Sequence, residues 1–416
     1  MNRLICADNL RAMDDLIKED IKVDLIYLDP PFFSNRHYEV IWGDEAEVRS
    51  FKDRWAGGIS VYIEWMRERV SKMYDVLKDT GSLYLHCDWH ASHYLKAMLD
   101  DIFGYRNFQN EIVWHYSGWN ARLKTKFNSR HDTIFYYSKG SDPDFNSYAL
   151  PWESESEYIR IRKQKVRIDD NGKKYVLSDA GGGKRVERFL SEAMAYGKPV
   201  DDVWEIPKLN NSSKECLGYP TQKPEALLER IIKASSNKGD SVLDPFCGCG
   251  TAMTVSQRLR REWIGIDISP TAITLITKRL QKIGAIKNKD FNIIGMPTTL
   301  SELKALEPFE FQNWVINEMK AKQSKKLSSD FGLDGYYDKT IFTEHAGIQV
   351  KQSESIGRNV VDNFETALTR GKFKKGFIVA FGFTKGSHEE AARVKGDLDI
   401  KLIKVEDLLL GKVKIQ

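Results

Sequence analysis

Four short apolar runs that each end on an acid constrain this chain most: Val23–Asp29 (VDLIYLD), Ser82–Asp88 (SLYLHCD), Ser241–Asp244 (SVLD) and Trp263–Asp267 (WIGID). Stretches with helical periodicity separate them. Strands that are apolar throughout need cover on both faces, and helices placed between them provide it. Residues 1 to about 280 therefore read as an α/β domain with a mostly parallel sheet. Thr133–Lys139 (TIFYYSK) is a further strand candidate, set among aromatics.

The chain has 416 residues, 41% of them hydrophobic and 29% charged, which suits two or three ordinary globular domains. No apolar run approaches the length of a membrane span. The opening MNRLICADNL has no basic region followed by an apolar core, so a secretory signal is not expected. Five cysteines without framework spacing point to a reducing compartment and a cytoplasmic protein. A net charge of +4 permits an anionic partner without demanding one. Ten Trp and seventeen Tyr serve either packing or the stacking of bases, and composition alone does not choose.

Residues from about Asp142 to Ser213 are polar, rich in Lys and Arg, and interrupted by Asp169-Asp170-Asn171-Gly172 and Gly181-Gly182-Gly183. They read either as a solvated insertion or as a target-contacting segment grafted on the scaffold. A second boundary near Ala285–Pro308 leaves 286–308 as a linker and 309–416 as a unit long enough for its own core.

Ser241–Thr251 (SVLDPFCGCGT) is a strand, a tight turn and a helix start. Gly248 and Gly250 let the backbone approach a ligand at the carboxyl end of a strand. Asp267, at the end of the next strand, is placed to accept hydrogen bonds from ribose hydroxyls. A dinucleotide remains one reading, although Met253 stands where G-x-G-x-x-G has its third glycine. S-adenosylmethionine is another, since it needs room beside the loop and an acid for its ribose but no pyrophosphate seat.

Asp29-Pro30-Pro31-Phe32 is the sharper motif. Two prolines stiffen the turn and remove two N–H donors, so the Asp29 carboxylate and backbone carbonyls are left as acceptors beside the Phe32 ring. That suits methylation of an exocyclic amine. Its nitrogen lone pair is delocalised into the base, and two acceptors on its hydrogens localise that pair where positive charge develops. The ring stacks on a base that has left the duplex. No Pro-Cys dipeptide occurs, so the cysteine nucleophile of cytosine C5 methylation has no usual home.

With DPPF, DPFCGCGT, GSLYLHCDWHASHYLK at 81–96, NEIVWHY at 110–116, RHDTIFYYSK at 130–139 and TQKP at 221–224, residues 1–285 resemble an amino-group (N6-adenine/N4-cytosine) DNA methyltransferase of the β arrangement. In that arrangement the catalytic motif precedes the cofactor motif. The resemblance implies a Rossmann-like, S-adenosylmethionine-dependent fold. It implies that Thr221, Lys223 and Pro224, the turn with Asp244, Phe246, Gly248, Gly250 and Thr251, and Asp267 surround the cofactor, with Asp8 near its adenine. It also implies that 142–213 recognises a double-stranded DNA target. His86, Asp88, His90 and His93 look like a zinc set, but they fall in a family segment not known for metal.

In the tail, Asp334 followed by Gln349-Val350-Lys351 has the order of an acid and a Q-x-K pair on adjacent strands. Residues 349 and 351 share a strand face. An acid with a neighbouring carbonyl holds Mg²⁺ through oxygen, and a lysine orients the attacking water. Residues 309–416 resemble the Mrr-like branch of the PD-(D/E)xK nucleases, with Glu318 as a further candidate ligand. Gln349 departs from the acid that many relatives carry there. A non-cutting DNA-binding tail is the alternative.

The resulting expectation is a site-specific DNA methyltransferase fused to a restriction-endonuclease-like α/β domain. Asp29 favours adenine N6, because the family's N4 enzymes more often carry Ser there. Cytosine N4, an RNA amino-methyltransferase and a fold that no longer turns over are the rivals. Oligomeric state, including a homodimer, is open.

Overall fold

A computed structural model describes residues 2–33, 58–118, 123–210, 212–213, 215–217, 221–323, 333–337, 345–396 and 398–413. Among them, nine strands form one sheet in the order Val203–Glu205, Phe108–His115, His131–Ser138, Leu77–Cys87, Val23–Leu28, Ser241–Asp244, Glu262–Asp267, Asn2–Cys6, Phe291–Ile294. His131–Ser138 runs against both of its neighbours. The other pairings are parallel, as the apolar runs predict.

Every position of Val23–Leu28 is buried, because the sheet is covered on both sides. Leu25 and Tyr27 pack with Ile231, Met253 and Ile276 of three helices, while Ile26 and Leu28 pack with Met13, Met66 and Leu95 of three others. In the helix Ile59–Val76 the buried residues Tyr62, Met66, Val70 and Met73 recur every three or four positions, which gives one apolar stripe. That helix runs directly into Leu77–Cys87, so this strand begins earlier than the sequence run at Ser82.

Within 142–213 the polar chain folds into a small lobe. Lys174–Asp179 pairs antiparallel with Arg167–Ile168 and Arg185–Phe189, over a core of Trp152, Tyr158, Val176, Leu190 and Ala193. Its polar tracts are turns. Asp169 accepts the backbone N–H groups of Asn171 and Lys173, and Gly181, Gly182 and Gly183 all have positive φ. Val203–Glu205 then rejoins the main sheet beside Phe108–His115. Residues 286–308 carry Phe291–Ile294, which pairs with Asn2–Cys6, and Leu303, which is buried in the tail's core.

The tail has its own sheet, ordered Lys322–Gln323, Gly335–Tyr337, Ala346–Lys351, Lys375–Ala380, Asp399–Lys404. Phe311, Trp314 and Val315 cover one face against Ile348 and Phe377, and Phe364 and Leu368 cover the other against Ile378 and Ile400. The helix Pro308–Glu318 also lies against Pro270–Lys282 of the first domain.

Phe364 is fully buried in a cluster confined to the tail. Phe364→Ala is expected to remove about 3–5 kcal/mol from that domain. Calorimetry on the whole chain should show one transition moving to lower temperature while the other stays in place.

Candidate active site

Val242 and Leu243 lie in register with Leu25 and Ile26. The pairing is pinned at its base by Asp24, whose Oδ2 accepts from the Ser241 N–H and hydroxyl, both at 2.8 Å. Because the strands are parallel, the turns after Leu28 and Asp244 open at the same edge, with the end of Glu262–Asp267 next along.

Asp29, Asp244 and Asp267 meet there. Burial pushes the Asp244 carboxyl well up, and the charges of Asp29 and Asp267 add to this. Burial also lifts Asp267 to about 6. Lys223 is the cation among them. Its Nζ donates to Asp29 Oδ2 and sits 5.3 Å from the centre of the Phe32 ring. Asp29 Oδ1 is buried and accepts no hydrogen bond among the described residues. Pro30 beside it is buried too.

The Gly-rich turn is held from both ends. Gly248 N–H donates to Asp267 Oδ2 at 2.8 Å, and Ser269 N–H donates to Oδ1 at 2.9 Å. Phe246 N–H donates to Asp244 Oδ1 at 3.0 Å. Gly250 has φ +75°, and a Cβ there would stand 2.7 Å from Ile276 Cγ1, so the position requires glycine. The Thr251 hydroxyl donates to the Lys223 carbonyl at 3.3 Å, which joins the turn to the TQKP segment. Pro224 caps the helix Glu225–Ala234, and Thr221 is exposed at the head of the segment.

Arg279, missed in the sequence, clamps these parts together. It donates to the Cys249 carbonyl and the Thr251 hydroxyl at 3.1 Å each, and to Glu225 Oε1 at 2.8 Å. Asp8 caps the helix Asn9–Lys18 through Leu10 N–H and pairs with Arg69 at 3.1 Å. Arg69 lies over Trp65, whose ring centre is 5.8 Å from that of Phe246. Next to Asp8, Asn9 Oδ1 is buried without a hydrogen-bond partner among the described residues.

This donor set fits S-adenosylmethionine. Three carboxyl groups gathered around Lys223, with Asp244 raised by burial and by the charges of the other two, form a pocket whose ionisation a sulfonium and an ammonium would favour. Phe246 and Trp65 offer aromatic surface close to Asp8.

A polar chain behind Asp29 was also missed. His86 is fully buried, with Nδ1 3.0 Å from the Tyr27 hydroxyl and Nε2 3.3 Å from Asp132 Oδ2. Asp132 Oδ1 accepts from the Tyr116 hydroxyl at 2.9 Å. A histidine inside the apolar run SLYLHCD was the available signal. It was grouped by sequence with Asp88, His90 and His93, whereas Asp88 pairs with His90 at 2.7 Å.

In the tail, Asp334 N–H donates to the Ile348 carbonyl at 2.9 Å, and its Oδ2 accepts from Val350 N–H at 2.6 Å. Asp334 thus bonds to the residues on either side of buried Gln349, its backbone to Ile348 and its carboxylate to Val350, with exposed Lys351 next along the strand. Glu318 is exposed at the end of its helix. Among the described residues, the one set of three acids within reach of a common metal is Asp362, Glu365 and Glu390, which does not include Asp334 or Glu318. Arg358 and Arg393 already pair with that group.

The sequence model of a DNA methylase family matches residues 23–278, and that of a restriction endonuclease family matches 303–410. The chain is 30% identical over 376 residues to the Type II methyltransferase M.EcaI of Enterobacter cloacae, covering 78% of this chain and 80% of that protein. It is 28% identical over 342 residues to the Type II methyltransferase M.HpaI of Haemophilus parainfluenzae, covering 79% and 94%. It is 26% identical over 308 residues to the DNA adenine methyltransferase YhdJ of Escherichia coli K12, covering 72% and 92%. Taken with the two motif-bearing strand ends at one sheet edge, these matches establish that the chain belongs to the N6/N4 DNA methylase family, as a DNA methyltransferase that carries a C-terminal restriction-endonuclease domain.

Proposed function

We propose that the first domain methylates the N6 amine of an adenine flipped out of double-stranded DNA. The observation that carries this reading is Asp29 Oδ1, a buried acceptor with no hydrogen-bond partner among the described residues, at the head of Pro30-Pro31-Phe32. Asp29 Oδ1 and the Pro30 carbonyl take the two amine hydrogens and draw the nitrogen lone pair out of the ring. Phe32 stacks on the base. Asp rather than Ser at position 29 supports adenine over cytosine N4, as does the likeness to an enzyme named for adenine methylation.

Bound S-adenosylmethionine supplies the electrophilic methyl group. Asp267 accepts from its ribose, Asp8 lies toward its adenine, and the turn Asp244–Thr251 with Thr221, Lys223 and Pro224 encloses the rest. The lobe within 142–213 recognises the target. It exposes Arg160, Arg162, Lys165, Arg167, Lys173 and Lys184, which suit phosphate contacts. The tail cuts DNA with Mg²⁺ held by Asp334, while Lys351 orients the water and Gln349 adds a neutral oxygen.

Asp29→Ala is expected to lower single-turnover methyl transfer by about 10²–10³-fold, the scale for losing a preorganised partner of developing charge. Its cofactor affinity should stay within about threefold of wild type. Single-turnover kinetics and calorimetric titration measure the two effects, and near-normal transfer by the variant would refute the reading.

Cofactor affinity should depend on Asp267. Its carboxyl titrates near 6 in the fold, and the ionised form is the better acceptor for ribose hydroxyls. Affinity should therefore fall below about pH 6, by up to about tenfold per unit, and Asp267→Asn should flatten the profile. In the unliganded protein the sign is opposite. An acid raised from 3.8 to about 6 costs stability as pH rises through that window.

Lys351→Ala should abolish Mg²⁺-dependent cutting and leave methylation unchanged, and chelation should do the same. A cleavage assay on methylated and unmethylated DNA, with and without cofactor, tests both. No cutting by wild type under any of these conditions would favour a DNA-binding tail.

A further inference from the structure

We propose that His86 is a positioning residue for methyl transfer: Asp132 keeps its proton on Nε2, so that the imidazole turns a lone pair toward Asp29 and leaves Oδ1 to the amine. This rests on the reading of Asp29 as the amine's acceptor.

With Asp132 ionised, the hydrogen bonds select one proton inventory. An ionised carboxylate can only accept, so the hydrogen shared between His86 and Asp132 Oδ2 belongs to Nε2. A neutral imidazole then has its lone pair on Nδ1, and the Tyr27 hydroxyl, 3.0 Å away, donates to it. Asp29 Oδ1 lies 3.9 Å from the same Nδ1. Reversing the tautomer, or adding a second proton, would make Nδ1 a donor 3.9 Å from Oδ1, a gap that a small shift of either group closes. The acceptor that the amine requires would then be engaged from behind.

The surroundings hold the first arrangement. Among the described residues, the titratable and charged groups facing the ring are Tyr27, Asp29, Asp132 and Lys223, with the Phe32 and Trp114 rings packed on it. Burial, then the Lys223 charge, lower the His86 pKa, while Asp132 and Asp29 act the other way. Burial works to raise Asp132, but the hydrogen bond from His86, the Lys208 charge and the Tyr116 hydroxyl hold it down. It therefore stays an acceptor across the working range of pH.

The test follows the proton and the rate together in the full-length protein. Histidine labelled with ¹⁵N, with His86 assigned by the signals lost in His86→Gln, reports which ring nitrogen is protonated. Wild type should show neutral His86 protonated on Nε2, and a proton on Nδ1 would overturn the proposal whatever the variants do. Asp132→Asn is isosteric and removes the charge that selects the tautomer. A reversed tautomer costs up to about 10⁴-fold where the imidazole itself reacts. Acting through Asp29, it should cost at least about tenfold in single-turnover methyl transfer, with cofactor and DNA affinities within about threefold of wild type.

If the variant amide instead rotates and Nε2 keeps its proton, transfer should stay near the wild-type rate. Transfer that persists despite a switched tautomer, or that falls with the tautomer unchanged, refutes the proposal. Asp29→Ala in the same assay separates the two claims. If that variant still turns over, the reading of Asp29 fails. If it is inactive while the rate ignores the His86 tautomer, only the present inference fails.

Discussion

The parallel pairing of Val23–Leu28 with Ser241–Asp244 is the constraint on which the site depends. The two strands are joined at their base through Asp24 and Ser241, 217 residues apart in sequence. A parallel pair sends both chains out at the same edge. The loop that presents Asp29 and the loop that presents Gly248 and Gly250 are therefore neighbours wherever their motifs fall in the chain. Permuting the motif order leaves this geometry intact, because the sheet fixes which strand ends are adjacent and the connections only have to reach them.

That edge concentrates negative charge. Asp29 and Asp267 are close enough to Asp244 to raise it, and among the described residues Lys223 is the cation that pairs with this group. Among the described residues, two other cations nearby are directed elsewhere. Arg279 is spent on the Gly-rich turn and Glu225, and Arg69 on Asp8 and the Trp65 face. The pocket is thus rich in carboxyl groups, which suits a cationic methyl donor. The tail touches the same region. Ser269, whose N–H holds Asp267, donates its hydroxyl to Glu310 on the tail's first helix at 3.1 Å.

Much of this was legible in the residues. Apolar runs buried on both faces, such as VDLIYLD and WIGID, can only be covered strands, and Asp-Pro-Pro-Phe after one of them leaves acceptors and a ring. What periodicity could not supply was partnership between distant side chains. His86 lies in an apolar run and resembled a metal ligand beside Asp88 and His90. Its partners are Tyr27 and Asp132, which come from two other strands. Residues 286–308 looked like a linker because Pro297 and Pro308 interrupt them, yet Phe291 is fully buried in the first domain and Leu303 in the tail.

The sequence by itself determined the class of fold, the two motifs and the chemistry they permit, because burial pattern, turn stiffness and donor count are local properties of the residues. The tertiary structure decided what each acid does. Asp8 caps a helix and pairs with Arg69, Asp24 ties two strands, Asp132 orients a histidine, and Asp29 alone among these keeps a buried oxygen without a hydrogen-bond partner among the described residues. An isolated carboxylate has the same chemistry at every position. Only packing sets its partners, its distance from water and so its role.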